Sequence, residues 1–267
     1  MSSKDKLTYW EKRQQRLQEK LRRKTTAEIE KRLREYYRRA MERTIADFVA
    51  VYNKLLDDSL TREPTPADLY KLDAYWHMQR QLRDELTRLG DREAALLSRG
   101  FEEYWQQVYD STAVPSGSAY NTISTASARQ QINSVWLADG KTYSQRIWDN
   151  VELLTENLNE NLINCVVTGK PPRDLIHKLQ ERFNVSYYRA KTLVQTEITH
   201  IKTAAAAQRY KDSGIDKFQF LADPDEKTCS VCAALDRKVF YLAELREGKN
   251  APPMHPNDRC TIRAYIE

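Results

Sequence analysis

From Ile29 onward, apolar side chains recur every three or four residues: Ile29, Leu33, Tyr37, Met41, Ile45, Phe48, Tyr52 and Leu55. An α-helix turns about 100° per residue, so this spacing stacks the side chains on one face and predicts a long amphipathic helix. Upstream, Leu7, Trp10, Leu17 and Leu21 are sparser, and the first turns are expected to stay mobile until something binds them. Thr65-Pro66-Ala67-Asp68 opens a second helix, with Thr as N-cap, Pro at the first helical position and an acid in the first turn. Its apolar positions are Leu69, Leu72, Trp76, Leu82, Leu86 and Leu89, and Gly90 is its expected stop. A third helix over about 91–110 presents Leu96, Phe101, Tyr104, Trp105 and Val108.

The next stretch concentrates small polar residues around Pro115 and Gly117, which marks a linker over 111–124. Helical pattern resumes at 125–137, breaks at Asp139-Gly140 and returns over 143–167. Pro171 and Pro172 open another short helix, and Asn184-Val185-Ser186 offers a cap for one over 186–212, with Gly214 as its C-terminal stop. Segments 218–222, 239–242 and 261–266 are rich in aromatic and β-branched residues and bounded by turns, the signature of short strands. The pattern thus predicts a mainly α protein with a small α+β C-terminal unit: long N-terminal helices over 1–110, the linker, a helical middle over 125–214, and short strands around a Cys/His cluster over 215–267. No solenoid-type repeat is present.

Composition narrows the function classes. Only 7 of 267 residues are Gly, so backbone-cradled nucleotide binding is hard to build, and no phosphate-binding Gly loop, Gly-x-Ser-x-Gly elbow or HExxH motif occurs. No run approaches the ~18 apolar residues of a membrane span. The first residues lead into charge rather than an apolar signal segment, which predicts synthesis in the cytosol. Four cysteines are too few for a disulfide framework. The formal net charge of +5 is uneven: residues 1–45 carry 15 Lys/Arg against 7 Asp/Glu, leaving a net acidic remainder. Lys12, Arg13, Arg16, Lys20, Arg22, Arg23 and Lys24 form a basic stripe suited to nucleic acid or an acidic protein surface. The plainer alternative is a solvated helix face laced with ion pairs.

Three cysteines crowd into the C-terminal unit as Cys229-x-x-Cys232, then 22 residues, then His255-Pro-Asn-Asp-Arg-Cys260. Cys229, Cys232, His255 and Cys260 make a Cys₃His set for a tetrahedral structural zinc, which would contribute folding energy to a unit with a small core. Two other readings stay open: apolar packing of the thiols beside a satisfied His, or a disulfide, which a reducing cytosol disfavours. Asp223, Asp225, Glu226 and Asp236 surround the first pair, and Asp258 and Arg259 lie beside His255. A catalytic metal among them is conceivable, but acids in turns ordinarily cap backbone amides. Glu197-Ile-Thr-His200 places a carboxylate and an imidazole one helical turn apart. A di-iron site needs a second copy, so an ordinary helix-surface pair is expected. Cys165, within an apolar run, is read as a core residue.

Three segments carry a family resemblance: Asp139-Gly-Lys-Thr-Tyr-Ser-Gln-Arg-Ile-Trp-Asp-Asn150, the stretch from Arg182-Phe-Asn-Val-Ser to Val194-Gln-Thr-Glu197, and Asp225-Glu-Lys-Thr-Cys-Ser-Val-Cys-Ala-Ala-Leu-Asp236. They resemble, in order, the bacteriophage head morphogenesis or minor head proteins, also called Mu F-like, over about 135–267. The resemblance implies a virion protein inside the capsid near the portal vertex, present in the host cytoplasm during assembly. Its implied partners are the portal protein, packaged double-stranded DNA and other capsid or scaffolding proteins, and its implied roles are head assembly, DNA packaging or DNA ejection. It implies no catalytic activity. The family's closing motif is usually His-Pro-Asn-Cys-Arg-Cys, and here Asp258 stands in place of one cysteine. The competing functions are a metal-dependent hydrolase or nuclease effector and a zinc-knuckle nucleic-acid-binding protein.

Overall fold

The computed structural model describes residues 9–58, 73–114, 125–168, 172–223 and 228–266. Among these residues it is mainly helical, with α1 (Tyr9–Asp58), α2 (Asp73–Ser111), α3 (Thr125–Ile132), α4 (Tyr143–Thr168), α5 (Pro172–Asp212) and the short α6 (Ser230–Leu235). A three-stranded antiparallel sheet follows α5, built from β1 (Lys217–Leu221), β2 (Val239–Tyr241) and β3 (Thr261–Ala264) in the order β2-β1-β3. The expected fold class, helices with a small C-terminal α+β unit around a Cys/His cluster, is what the structure contains. No helix among the described residues is long and apolar enough to cross a membrane. The expected helix start at Thr65-Pro66, most of the 111–124 linker, Pro171, Asp225, Glu226 and the side chain of Cys165 lie outside the described residues.

Two compact units divide the chain. One comprises Met1–Ile29, Leu97–Tyr143 and Thr192–Glu267; the other comprises Glu30–Leu96 and Ser144–Lys191. In the first, the sheet buries Phe218 and Ile262 against Ala206, Tyr210 and Ile215, and Phe220 against Cys232 and Cys260. Gln219 faces Arg263 across β1 and β3, and its amide oxygen accepts from Arg263 Nε at 2.6 Å. Gly214 takes a left-handed φ of +69°, and the Ile215 N–H returns to the Tyr210 carbonyl at 3.0 Å. This satisfies an end carbonyl of α5 as a Gly C-terminal stop does, and Gly214 is the stop expected there.

Several expected boundaries shift, each because burial outweighs a local signal. The α1 stripe runs through Ile29, Leu33, Tyr37, Ala40, Thr44 and Phe48, all buried, whereas Met41 and Ile45 are only half-buried. Successive four-residue steps rotate about 40° each, and the three-residue step from Tyr37 to Ala40 brings the stripe back into phase. Gly90 does not end a helix: α2 runs through it. A Cβ there would meet the Trp148 ring at 2.7 Å, so glycine serves close packing and the helix accepts its propensity cost of about 1 kcal/mol. Trp76, expected on the apolar face, is 58% exposed. Asn184-Val185-Ser186 does not cap a new helix either, since α5 is continuous. Leu175, Leu179, Phe183, Tyr187 and Ala190 keep one buried phase across that point, and tertiary burial overrides the local preference of Asn and Ser for a helix start. The helix expected over 125–137 ends earlier, at Ile132.

The second unit encloses a polar trio. Tyr37 donates from its hydroxyl to Glu93 Oε2 at 2.9 Å and accepts from Asn150 Nδ2 at 3.0 Å, and the same amide donates to the Ser186 carbonyl at 3.0 Å. Glu93 is fully buried, and its other oxygen has no partner among the described residues. Burial lifts the Glu93 carboxyl to about 7, against the smaller pull of the Tyr37 hydrogen bond. Between its ordinary value and 7 the native state keeps a proton that the unfolded chain releases, so stability falls as pH rises through that window. Glu93→Gln is expected to flatten the decline, matching the parent near pH 4.5 and exceeding it at pH 8 by on the order of 2–3 kcal/mol. Urea unfolding across this range checks it, and an unchanged slope refutes it.

Candidate metal centre

The polar side of α5 positions the C-terminal loop residue by residue. Thr196 Oγ1 accepts from the Asn257 N–H at 3.1 Å, the Thr199 hydroxyl donates to the Asp258 carbonyl at 2.5 Å, and Lys202 Nζ reaches the Arg259 carbonyl at 3.5 Å. Three side chains at three-residue steps along one helix thus face three consecutive backbone positions, and the two threonines hold theirs. The loop is pinned immediately before Cys260 and β3.

Its own folding centres on Asp258, which is 3% exposed. One carboxylate oxygen accepts from the Met254 N–H at 2.7 Å and the other from the Cys260 N–H at 2.8 Å. Such an aspartate does the work of a backbone cap. Asp236 does the same on the facing turn, accepting from the Ala222 N–H at 2.9 Å, and Asp223 pairs with Arg259 at 3.1 Å. These acids are occupied by backbone and arginine.

The thiols gather around Cys232. The donor atoms of Cys229, Cys232 and His255 lie within 4.8 Å of one another, and those of Cys232, Asp258 and Cys260 form a second such group. The two groups share Cys232, and Cys260 falls with Asp258 rather than with Cys229 and His255. Cys232 Sγ lies 3.7 Å from His255 Nε2, which is the ligand-to-ligand edge of about 3.5–3.8 Å in a tetrahedral site with ordinary Zn–S and Zn–N bonds. His255 Nδ1 lies 2.9 Å from the Pro256 carbonyl. A carbonyl only accepts, so Nδ1 carries the proton, and Nε2 is the nitrogen turned to the thiols, the tautomer that a ligating His needs.

The thiols differ in proton affinity. Hydrogen bonds from the Cys232 backbone and side chain, with help from His255, hold the Cys229 thiol below its ordinary value. Burial and the neighbouring Cys229 push Cys232 far up, and burial with Asp258 pushes Cys260 up to about 12. All three cysteines are free thiols, and Cys232 and Cys260 pack with Phe220. The disulfide reading is therefore not realised, while apolar packing and metal-ligand geometry coexist. The group could hold a metal ion, and its donor set of thiols and imidazole suits a thiophilic divalent cation. Zn²⁺ added to metal-free protein is expected to release protons from Cys232 and Cys260 and to raise the melting temperature. Cys232→Ser is expected to lose both effects, as read by pH-stat titration and thermal unfolding, and binding without proton release speaks against thiolate ligation.

Glu197 and His200 depart from expectation. Instead of a surface pair, both are buried, at 1% and 2% exposure, because this part of α5 is covered on several sides. His200 Nδ1 meets Glu247 Oε2 at 2.6 Å, its ring stacks on Trp136 at 5.1 Å, and Trp136 Nε1 donates to Glu197 Oε2 at 3.1 Å. His200 Nε2 lies 3.4 Å from the Gln131 carbonyl and 3.5 Å from Ser134 Oγ. With a carboxylate at one nitrogen and a carbonyl at the other, the surroundings of the ring favour its protonated form. His200, Glu247, Gln131 and Ser134 line part of an open cleft of about 830 Å³.

Burial opposes the charged imidazole, yet Glu247 by charge and hydrogen bond, with Glu197, raises His200 above 6.5. The stabilisation is complete below pH 6.5 and is lost as pH rises through the native value. Glu247→Gln is expected to bring the His200 titration, followed by its Cε1–H resonance, down by at least one pH unit on the order-of-magnitude scale of a buried ion pair. An unmoved titration refutes the pairing.

The basic residues all lie on α1. Lys12, Arg13, Arg16, Lys20 and Lys24 are exposed. Arg23 is also exposed but pairs with Glu19 at 2.6 Å, while Arg22 is turned inward, its side chain 12% exposed and bonded to Glu19 at 2.7 Å. Partial burial would raise the Glu19 carboxyl, but the two arginines pull it down to about 2. The sequence reading passed over Lys202, whose burial draws its ammonium down to about 8. The signal was present, since Lys202 falls four residues after Ile198 and four before Ala206, inside the apolar arc of α5. Glu247 sits in an irregular turn and left no periodic trace.

Compared with known proteins, residues 156–263 match the family model described as Phage Mu protein F like protein. The matched segment takes in the end of α4, all of α5, and the sheet with its Cys/His loop, and it contains two of the three segments on which the Mu F-like resemblance was expected, the one over 139–150 lying before it. No curated protein and no solved structure matches the chain.

Proposed function

We propose that this protein is a minor head protein of a tailed bacteriophage, a structural component of the virion that sits inside the capsid at the portal vertex and assists head assembly, DNA packaging or DNA ejection. The match of residues 156–263 to the Mu F-like family carries this reading. In it the Cys/His group holds a structural zinc, and the exposed cations of α1 lie toward the portal or the packaged DNA. The protein acts by binding rather than by catalysis. An imidazole fixed between a carboxylate and a carbonyl, and acids committed to backbone caps, support that part.

Co-expression with the portal protein of the same phage tests the assignment. The two are expected to purify as one complex in fixed ratio, with about one zinc per copy of this chain by metal analysis, as a single closed tetrahedral site requires. Failure to co-purify when both proteins fold overturns the portal assignment. A complex free of zinc overturns only the metal.

A further inference from the structure

In the first unit a cavity of about 210 Å³ is walled by Gln15, Arg16 and Gln18 of α1, Lys202 of α5, Arg259 of the loop before β3 and Thr261 at its start. Its volume equals about seven waters at ~30 Å³ each, room for a tetrahedral oxyanion with bridging water. Two carboxylates also line it, but each is already neutralised: Glu19 by Arg22 and Arg23, and Asp223 by Arg259. Arg16 and Lys202 are left in no ion pair among the described residues.

Lys202 is the decisive group. It is 4% exposed, carries three N–H donors, and has as its hydrogen-bond contact one carbonyl at 3.5 Å, the outer limit of a useful bond. Burying an ammonium with donors unspent is costly, and the remaining donors have the cavity as their outlet. The buried Lys202 ammonium, the exposed Arg16 guanidinium and the Gln15 amide line this one cavity and bring positive charge and N–H groups to it, while Gln18 gives an amide hydrogen to Thr112 Oγ1 at 3.3 Å and the Thr261 hydroxyl turns to the Ile262 carbonyl at 3.5 Å. A planar carboxylate would use few of these groups, whereas a tetrahedral phosphoryl group has enough oxygens to meet them.

We infer that this cavity is a phosphate-binding site in which Lys202 and Arg16 hold a phosphoryl group. The group is either a backbone phosphate of DNA or a free phosphate or phosphate ester. The DNA source rests on the head-protein reading, whereas the site itself does not. Portal co-purification and phosphate binding therefore fail independently.

The test uses the full chain. Inorganic phosphate is titrated at ionic strength matched with sodium chloride, followed by isothermal calorimetry and thermal unfolding. Saturable binding with a rise in melting temperature is expected, weakened about tenfold or more in Arg16→Gln and in Lys202→Met. Arg16 is exposed, so its variant keeps the test valid if Lys202→Met does not fold. A non-saturable response, or equal affinity in Arg16→Gln and the parent, overturns the site.

Anisotropy of short duplex DNA then separates the sources. Displacement by phosphate together with weaker binding by Arg16→Gln assigns the site to the DNA backbone. Unchanged DNA binding in a variant that has lost phosphate assigns it to a free phosphate or ester.

Discussion

The second half of α5 is buried on its apolar and its polar sides alike, and the arrangement around the Cys/His loop depends on how that polar side is satisfied. A helix exposed along one side leaves its hydroxyls and charges to water; here Thr196, Glu197, Thr199, His200 and Lys202 are all buried. Each must find a partner inside the protein, because an unmet polar group in such a place costs on the order of 1–3 kcal/mol. The partners they find are segments with little regular structure of their own: the turn after α3, the turn around Glu247, and residues 257–259. Satisfying α5 is therefore the same event as fixing those segments.

The Cys/His group benefits from this arrangement. Its side chains come from a short helix and a loop, elements too small to hold a geometry by packing alone. Thr196 and Thr199 pin the backbone on one side of the group, and Asp258 folds the loop on itself. Asp258 has a physical role there: a carboxylate with two acceptor oxygens ties two backbone amides. The thiols of Cys232 and Cys260 keep their protons firmly in this setting, and a cation bound through them would have to displace those protons.

Charge is handled in two ways. On the outer surface of α1, arginines and glutamates form ion pairs at helical spacing, worth little individually in water. Inside, His200 with its carboxylates, Lys202 with its carbonyl and Glu93 with its phenol are single charges or protons held away from solvent. Each makes stability depend on pH. Buried groups of this kind carry function more readily than exposed ones, and in this protein they cluster on α5 and the elements it touches.

Signals that act over a few residues survived into the structure. The strands of the C-terminal sheet, the stop at Gly214 and the Cys-x-x-Cys pair were legible because β-branched runs, a left-handed turn and chelate spacing are local properties. Gly90 and Asn184-Val185-Ser186 misled because they too are local, and burial of continuous apolar phases along α2 and α5 outweighed them. What no window of sequence contains is the meeting of distant residues. Glu247 reaches His200 across 47 positions and Asp258 reaches Thr199 across 59. Residue spacing alone was enough to place the apolar faces of the helices and the Cys/His group. Which polar residues are buried depended on what packs on each helix, a property of the folded chain that the helix does not carry itself.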